Sequence, residues 1–238
     1  MKLTTVLFDL DGTLLPMDQD EFVKTYFGLL AKKLAPHGYD PKKLVDGIWQ
    51  GTAAMVRNDG RSTNEEAFWV KFSELFGDGC REDIPLFEEY YATDFQKAKA
   101  SCGFNPKAAE TLAKIKAMGL TTVLATNPIF PAIATQSRIR WAGLQPEDFA
   151  IYTTYENACY CKPNLDYYRE ILQKIGKQPE ECLMVGNDVD EDMVARELGM
   201  DVFLLPACLI NRHEKDISKY PHGDFDDLLR YISQKMNG

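Results

Sequence analysis

Long apolar runs are missing from this chain. No stretch approaches the roughly 20 residues that cross a bilayer, so no membrane partner is expected. The leading segment does not read as a signal peptide, because Asp9 and Asp11 interrupt its apolar residues. Paired cysteine ligands are missing too. Cys80, Cys102, Cys159, Cys161, Cys182 and Cys208 form no CxxC sets, which argues against structural zinc. Only Cys159 and Cys161 lie close together, and scattered reduced thiols suit a cytoplasmic protein. Positive charge is scarce: 27 Lys and Arg stand against 36 Asp and Glu, a net charge of -9. That balance excludes a broad basic face for a nucleic-acid polymer but leaves room for a local basic pocket. Internal repeats and low-complexity segments are absent. What remains is ordinary for a soluble globular protein, 238 residues with 45% hydrophobic, enough for a core plus a smaller unit.

The chain is organised around Thr5-Val6-Leu7-Phe8-Asp9-Leu10-Asp11-Gly12-Thr13. It begins as an apolar, β-branched run of strand length. It ends in two carboxylates one residue apart, followed by a glycine. In extended backbone, residues i and i+2 project to the same side, so Asp9 and Asp11 would face one spot at a strand's carboxyl end. Open α/β sheets bind their ligands there. Two such carboxylates raise each other's pKa unless a positive charge intervenes, and a hard cation such as Mg²⁺ would relieve that cost. Asp-Gly is also a common turn signal, so the pair alone admits a purely structural reading.

After Leu15 the spacing becomes helical. Segments from Asp18 to about Ala35, from Pro41 to Val56, after Thr63, and from about Asp83 to Phe95 each carry apolar residues on one face. From Asn105 the pattern alternates. Strands are expected at 120–126, 149–154, 182–186 and 201–205, separated by helices opening at Asn105-Pro106, Ala132, Pro163 and Val189, with a closing helix over 224–235. Strands alternating with helices predict a doubly wound parallel α/β sheet.

Three further strand ends carry chemistry. Thr126-Asn127 follows the second strand, where a hydroxyl and neighbouring N–H groups can hold a phosphate oxygen. Lys162-Pro163 opens a helix; a lysine at that positive end is disfavoured unless an anion sits there too. Gly186-Asn187-Asp188-Val189-Asp190-Glu191-Asp192 gathers carboxylates, which suit either a cation or simple helix capping.

Asp9-x-Asp11-Gly-Thr, then Thr126, then Lys162-Pro163, then the acidic loop at 186–192, in this order and each at a strand end, resemble the four motifs of the haloacid dehalogenase superfamily, mostly phosphatases. The resemblance covers nearly the whole core. It implies a three-layer, Rossmann-like α/β catalytic core over 1–15 and 101–238, with an all-α helical cap of the first type inserted at 16–100. By resemblance Asp9 is the nucleophile and Asp11 the general acid and base. Thr126, Asn127 and Lys162 bind the phosphoryl group. Mg²⁺ is held by Asp9, the main-chain carbonyl of Asp11, and Asp188. The sequence departs from the family at Asn187, which stands directly after the glycine where an Asp is usual. Asp188 with Asp192 restores a spacing of three intervening residues. Asp192 then lies behind the ligands, and Asn187 remains an alternative ligand through its amide oxygen.

The implied activity is Mg²⁺-dependent hydrolysis of a small phosphomonoester through an aspartyl-phosphate. A phosphomutase resembling β-phosphoglucomutase is the alternative, since only the acceptor differs. Asp11 argues against a dehalogenase, whose halide leaving group needs no proton. A receiver-like signalling module would need an Asp at the end of the third strand, where Thr153-Thr154-Tyr155-Glu156 stand. Lys24, Arg57, Arg61 and Lys71 are the cations of the helical insert that could reach a leaving group, although each also reads as a solvated surface charge.

Overall fold

A computed structural model describes residues 2–237. Strand β1 (Thr5–Phe8) lies in the middle of a parallel sheet and is buried along its whole length. It pairs on one side with β2 (Thr121–Leu124), in the register Thr5 to Thr121, and on the other with β3 (Cys182–Gly186), in the register Thr5 to Cys182. Strand β4 (Asp201–Leu204) flanks β3, giving the order β2-β1-β3-β4.

Side chains alternate through this sheet, as period-two backbone requires. Val6, Phe8, Leu183 and Val185 enter one apolar cluster together with residues of α5 (Pro106–Ala117) and α8 (Phe225–Asn237). Leu7, Val123, Met184 and Val202 enter another, covered by α7 (Leu165–Ile175) and the turn at Met193–Leu198. The result is the expected doubly wound three-layer α/β core.

Three expected elements differ. The segment 149–154 runs beside β2, with Ala150 N donating to Thr122 O and Thr153 N to Leu124 O, but it forms one isolated bridge at Tyr152 and not a strand. Its next amides turn elsewhere, Thr154 N to Asn157 Oδ1 and Tyr155 N to Phe130 O. No helix opens at Val189. Asp188 Oδ1 accepts from the amides of Asp190 and Glu191, and Asp192 Oδ2 accepts from that of Asp188. These side-chain bonds compete with helix hydrogen bonding, and only a 3-10 stretch follows at Met193–Leu198. Helix α7 begins at Leu165, two residues after Pro163, because Asn164 caps it through Asp166 N.

Between β1 and α5 the chain builds α1 (Gln19–Leu34), α2 (Pro41–Val56), α3 (Asn64–Phe76) and α4 (Ile84–Ala92), then a 3-10 stretch at Asp94–Ser101. Asp18, Asp40 and Thr63 cap the first three, each accepting a first-turn amide. Helices α2 and α3 approach closely where Gly47 and Gly51 face the Phe76 and Phe68 rings; a Cβ on either glycine would fall 2.5 Å from a ring carbon. The apolar cluster that covers one face of the sheet continues into these helices. Phe95 stacks on Trp141 of α6 (Ala132–Trp141) at 5.1 Å between centroids. Asn64, fully buried at the start of α3, donates its side-chain amide to Pro128 O, and its own N–H bonds Ala158 O.

Candidate active site

The site forms where β1, β2 and β3 end. Asp9 N donates to Val185 O, which extends the sheet's bonding one residue past β1. The chain then turns sharply at Gly12, whose φ is 86°. A side chain there would have no space, since its Cβ would sit 2.3 Å from Asn187 Nδ2. Asp9 is held on both oxygens. Lys162 Nζ donates to Oδ1 at 2.9 Å, and Thr13 Oγ lies 3.1 Å from Oδ2. The Thr13 hydroxyl also lies 2.9 Å from Asn187 Oδ1, so its single proton serves one of these acceptors at a time.

Lys162 is 1% exposed and bridges Asp9 to Asp192, 2.6 Å away on its other side. Burial works against its ammonium, but Asp192 and Asp9 outweigh burial and hold its pKa well above the ordinary value. Asp192 also accepts the Asp188 amide and so fixes the acidic loop against the lysine.

Asp11 has a different environment. Its Oδ2 pairs with Arg138 Nη1, and its Oδ1 is buried without a partner among the described residues. Burial pushes its carboxyl up, and the guanidinium draws it down by less. Arg138, on α6, is 1% exposed, and its guanidinium lies over the Phe130 ring at 4.3 Å. Sequence reasoning did not find this arginine. Its position four residues after the buried Ala134 is the one local signal.

The remaining expected residues gather around these two carboxylates. The Thr126 carbonyl accepts from Thr153 Oγ at 2.6 Å and from the Tyr167 hydroxyl at 2.8 Å, which fixes the turn after β2. Asn127 accepts the Lys162 amide and donates to Glu191 Oε2 at 3.1 Å. Asn187 spends its amide on Thr13 and on Cys208 O, as a brace across two loops. Asp188 Oδ2 takes Arg212 Nη1 at 3.2 Å. Asp9, Asp11, Thr126, Asn127, Asn187, Asp188 and Asp192 all line one cleft of about 300 Å³, while Lys162 lies beneath it on Asp9. Glu191, named in the sequence as part of the acidic loop but given no role of its own, lines the same cleft, and burial raises its carboxyl to about 7.

The donor set suits a hard cation. Five carboxylates, Asp9, Asp11, Asp188, Glu191 and Asp192, line the cleft, and the paired cations are Lys162, Arg138 and Arg212. Among the described residues no three His, Cys, Asp or Glu side chains converge as a ready cage. Asp11 pairs with Arg138, Asp9 with Lys162 and Asp188 with Arg212, so each of these carboxylates already has one cationic partner and few free oxygens are left for an ion. An ion that keeps several of its waters, as Mg²⁺ does, fits such a sparse set.

A parallel α/β sheet with paired carboxylates, a buried lysine and an acidic loop at its carboxyl edge defines an enzyme that handles anionic substrates. Residues 3–199 match the haloacid dehalogenase-like hydrolase family, and the chain belongs to it. Its curated relatives include a phosphoglycolate phosphatase from Agrobacterium fabrum, 26% identical over 80% of this chain and 75% of that protein. A glyceraldehyde 3-phosphate phosphatase from Methanothermobacter thermautotrophicus is 26% identical over 91% of this chain and 92% of its own length. Among solved structures, a 2-haloacid dehalogenase from Pseudomonas syringae pv. Tomato shares the fold with a TM-score of 0.64 at 19% identity, covering 98% of this chain and 99% of its own.

Proposed function

We propose that this hydrolase is a Mg²⁺-dependent phosphatase that cleaves a small phosphomonoester through an aspartyl-phosphate on Asp9. Residues 1–15 and 101–238 form the catalytic core in this reading, and 16–100 the cap. The observation that carries it is the division of labour between two neighbouring carboxylates. Asp9 is ion-paired with Lys162, which fixes its carboxylate at the end of β1, whereas Asp11 has one oxygen on Arg138 and the other buried without a partner among the described residues, and burial pushes its carboxyl up.

Asp9 attacks phosphorus, the bond from phosphorus to the alcohol oxygen breaks, and Asp11 gives that oxygen its proton. Asp11 then takes a proton from water as the water attacks the acyl phosphate, which releases inorganic phosphate and restores Asp9. Lys162, Thr126 and Asn127 bind the nonbridging oxygens of the phosphoryl group. Their task is charge neutralisation and alignment, which dominate phosphoryl transfer. Asp9, Asp188 and the Asp11 carbonyl would hold Mg²⁺, which lets an anionic nucleophile approach an anionic ester. A carboxylate at Asp11 also supports phosphate over halide chemistry, since an alkoxide must be protonated on leaving and a halide need not be. The six cysteines, all free, support a cytoplasmic setting.

The test is phosphate release from p-nitrophenyl phosphate. Wild type is expected to need Mg²⁺, to stop when EDTA is added and to recover when Mg²⁺ is restored. Asp9→Asn is expected to lose at least a thousandfold in kcat while keeping its circular dichroism. Turnover that survives in folded Asp9→Asn refutes the mechanism.

A further inference from the structure

We propose that the alcohol half of the substrate is an apolar alkyl or aryl group, seated in an aromatic cavity behind the catalytic cleft. The inference rests on the phosphatase reading and specifies its substrate class.

Beyond the carboxylates the cleft wall becomes apolar, and Val23, Trp49, Ile129 and Phe130 belong both to that wall and to a second cavity of about 90 Å³. The two spaces therefore adjoin, with these four side chains as their shared wall. Phe27, Phe68, Trp69, Phe87 and Tyr155 close the inner one, and among the described residues that line it none is charged. Its size is that of one ring or a short branched chain. Trp49, at the junction, is 51% exposed. A half-exposed indole at the mouth of an apolar cavity suits a surface that an apolar ligand completes.

Charge points the same way. A substrate with a second anionic group needs a cation beyond the one that receives its phosphate. Arg212 is the one cation among the described residues lining the cleft, and it is bonded to Asp188. Lys24, Arg57, Arg61 and Lys71 line neither space. Arg61 pairs with Asp59 and Lys71 with Glu74.

The experiment is a series of ethyl, butyl, hexyl and benzyl phosphates measured beside 2-phosphoglycolate and glycerol phosphate, all with Mg²⁺. The expected result is a rise in kcat/KM of about fourfold per added methylene until the cavity is full, with the two polar esters at the bottom of the series. Thr52→Phe, which fills the cavity from α2, is expected to flatten that slope. A flat series with measurable turnover overturns this inference and leaves the phosphatase reading standing. No phosphate release from any ester overturns the phosphatase reading. Binding of benzylphosphonate against methylphosphonate, followed by calorimetry on wild type, requires no turnover. At least tenfold tighter binding of the benzyl compound is expected, and equal affinity overturns the cavity assignment whatever the kinetics show.

Discussion

Asp11, whose side chain is 19% exposed, pairs with the fully buried Arg138, which reaches it across 127 positions of sequence. Removing the carboxylate leaves the buried guanidinium, which cannot shed its proton, without a partner, at a cost of about 3–5 kcal/mol. Asp11→Leu should therefore destabilise the protein by that amount in urea unfolding. The double variant Arg138→Met, Asp11→Leu should recover most of the loss. A single variant as stable as wild type would mean that the pair is solvated after all. No sequence window contains both residues, which is why Arg138 was not legible. The other residues that the sequence singled out stand in short runs of their own, Asp9 with Asp11 directly after β1, Thr126 with Asn127 shortly after β2, and Lys162 with Pro163 after no strand, and the structure gathers them around one cleft. Asn187 was the ambiguous position. Its contacts with Thr13 and Cys208 come from loops distant in the chain, and nothing local reveals them.

Among the elements, legibility followed the source of the hydrogen bonds. The four strands of the sheet read correctly because short apolar, β-branched runs have few other uses. The stretch 149–154 has the same composition, yet its last amides go to Asn157 and Phe130. The acidic loop has helical composition, yet its own carboxylates bind the amides that a helix would need. Helix glycines make a further comparison. Gly28, within α1, has nothing within 4 Å of a Cβ, whereas a Cβ on Gly51 would overlap the Phe68 ring. Gly28→Ala should stabilise by about 0.5–1 kcal/mol through helix propensity. Gly51→Ala gains the same propensity but should be net destabilising by about 1–3 kcal/mol through overpacking. Thermal melts of the two variants side by side check the contrast, and equal shifts would deny the close approach of α2 and α3.

At the scale of the whole molecule, the helices between β1 and α5 share one continuous apolar cluster with a face of the sheet. Unfolding should accordingly be a single transition, with tryptophan fluorescence and far-ultraviolet circular dichroism giving the same midpoint in urea. Two separated midpoints would show that the insert melts independently. The insert was visible in the sequence as a run of helical spacing without strand signals. Its adhesion to the core was not, because the joining contacts, such as Phe95 on Trp141 and Asn64 on Pro128, lie between distant segments.

The central place of β1 also bears on biosynthesis. The chain just before β1 meets the chain just before β3 across 177 positions, as Thr4 to Glu181. At roughly 5–20 residues per second, a ribosome needs about 9–35 s to span that interval. Until then this fully buried strand lacks a neighbour on one side. It is the first part of the sheet to be made, and both of its neighbours, β2 and β3, come from chain made more than a hundred residues later.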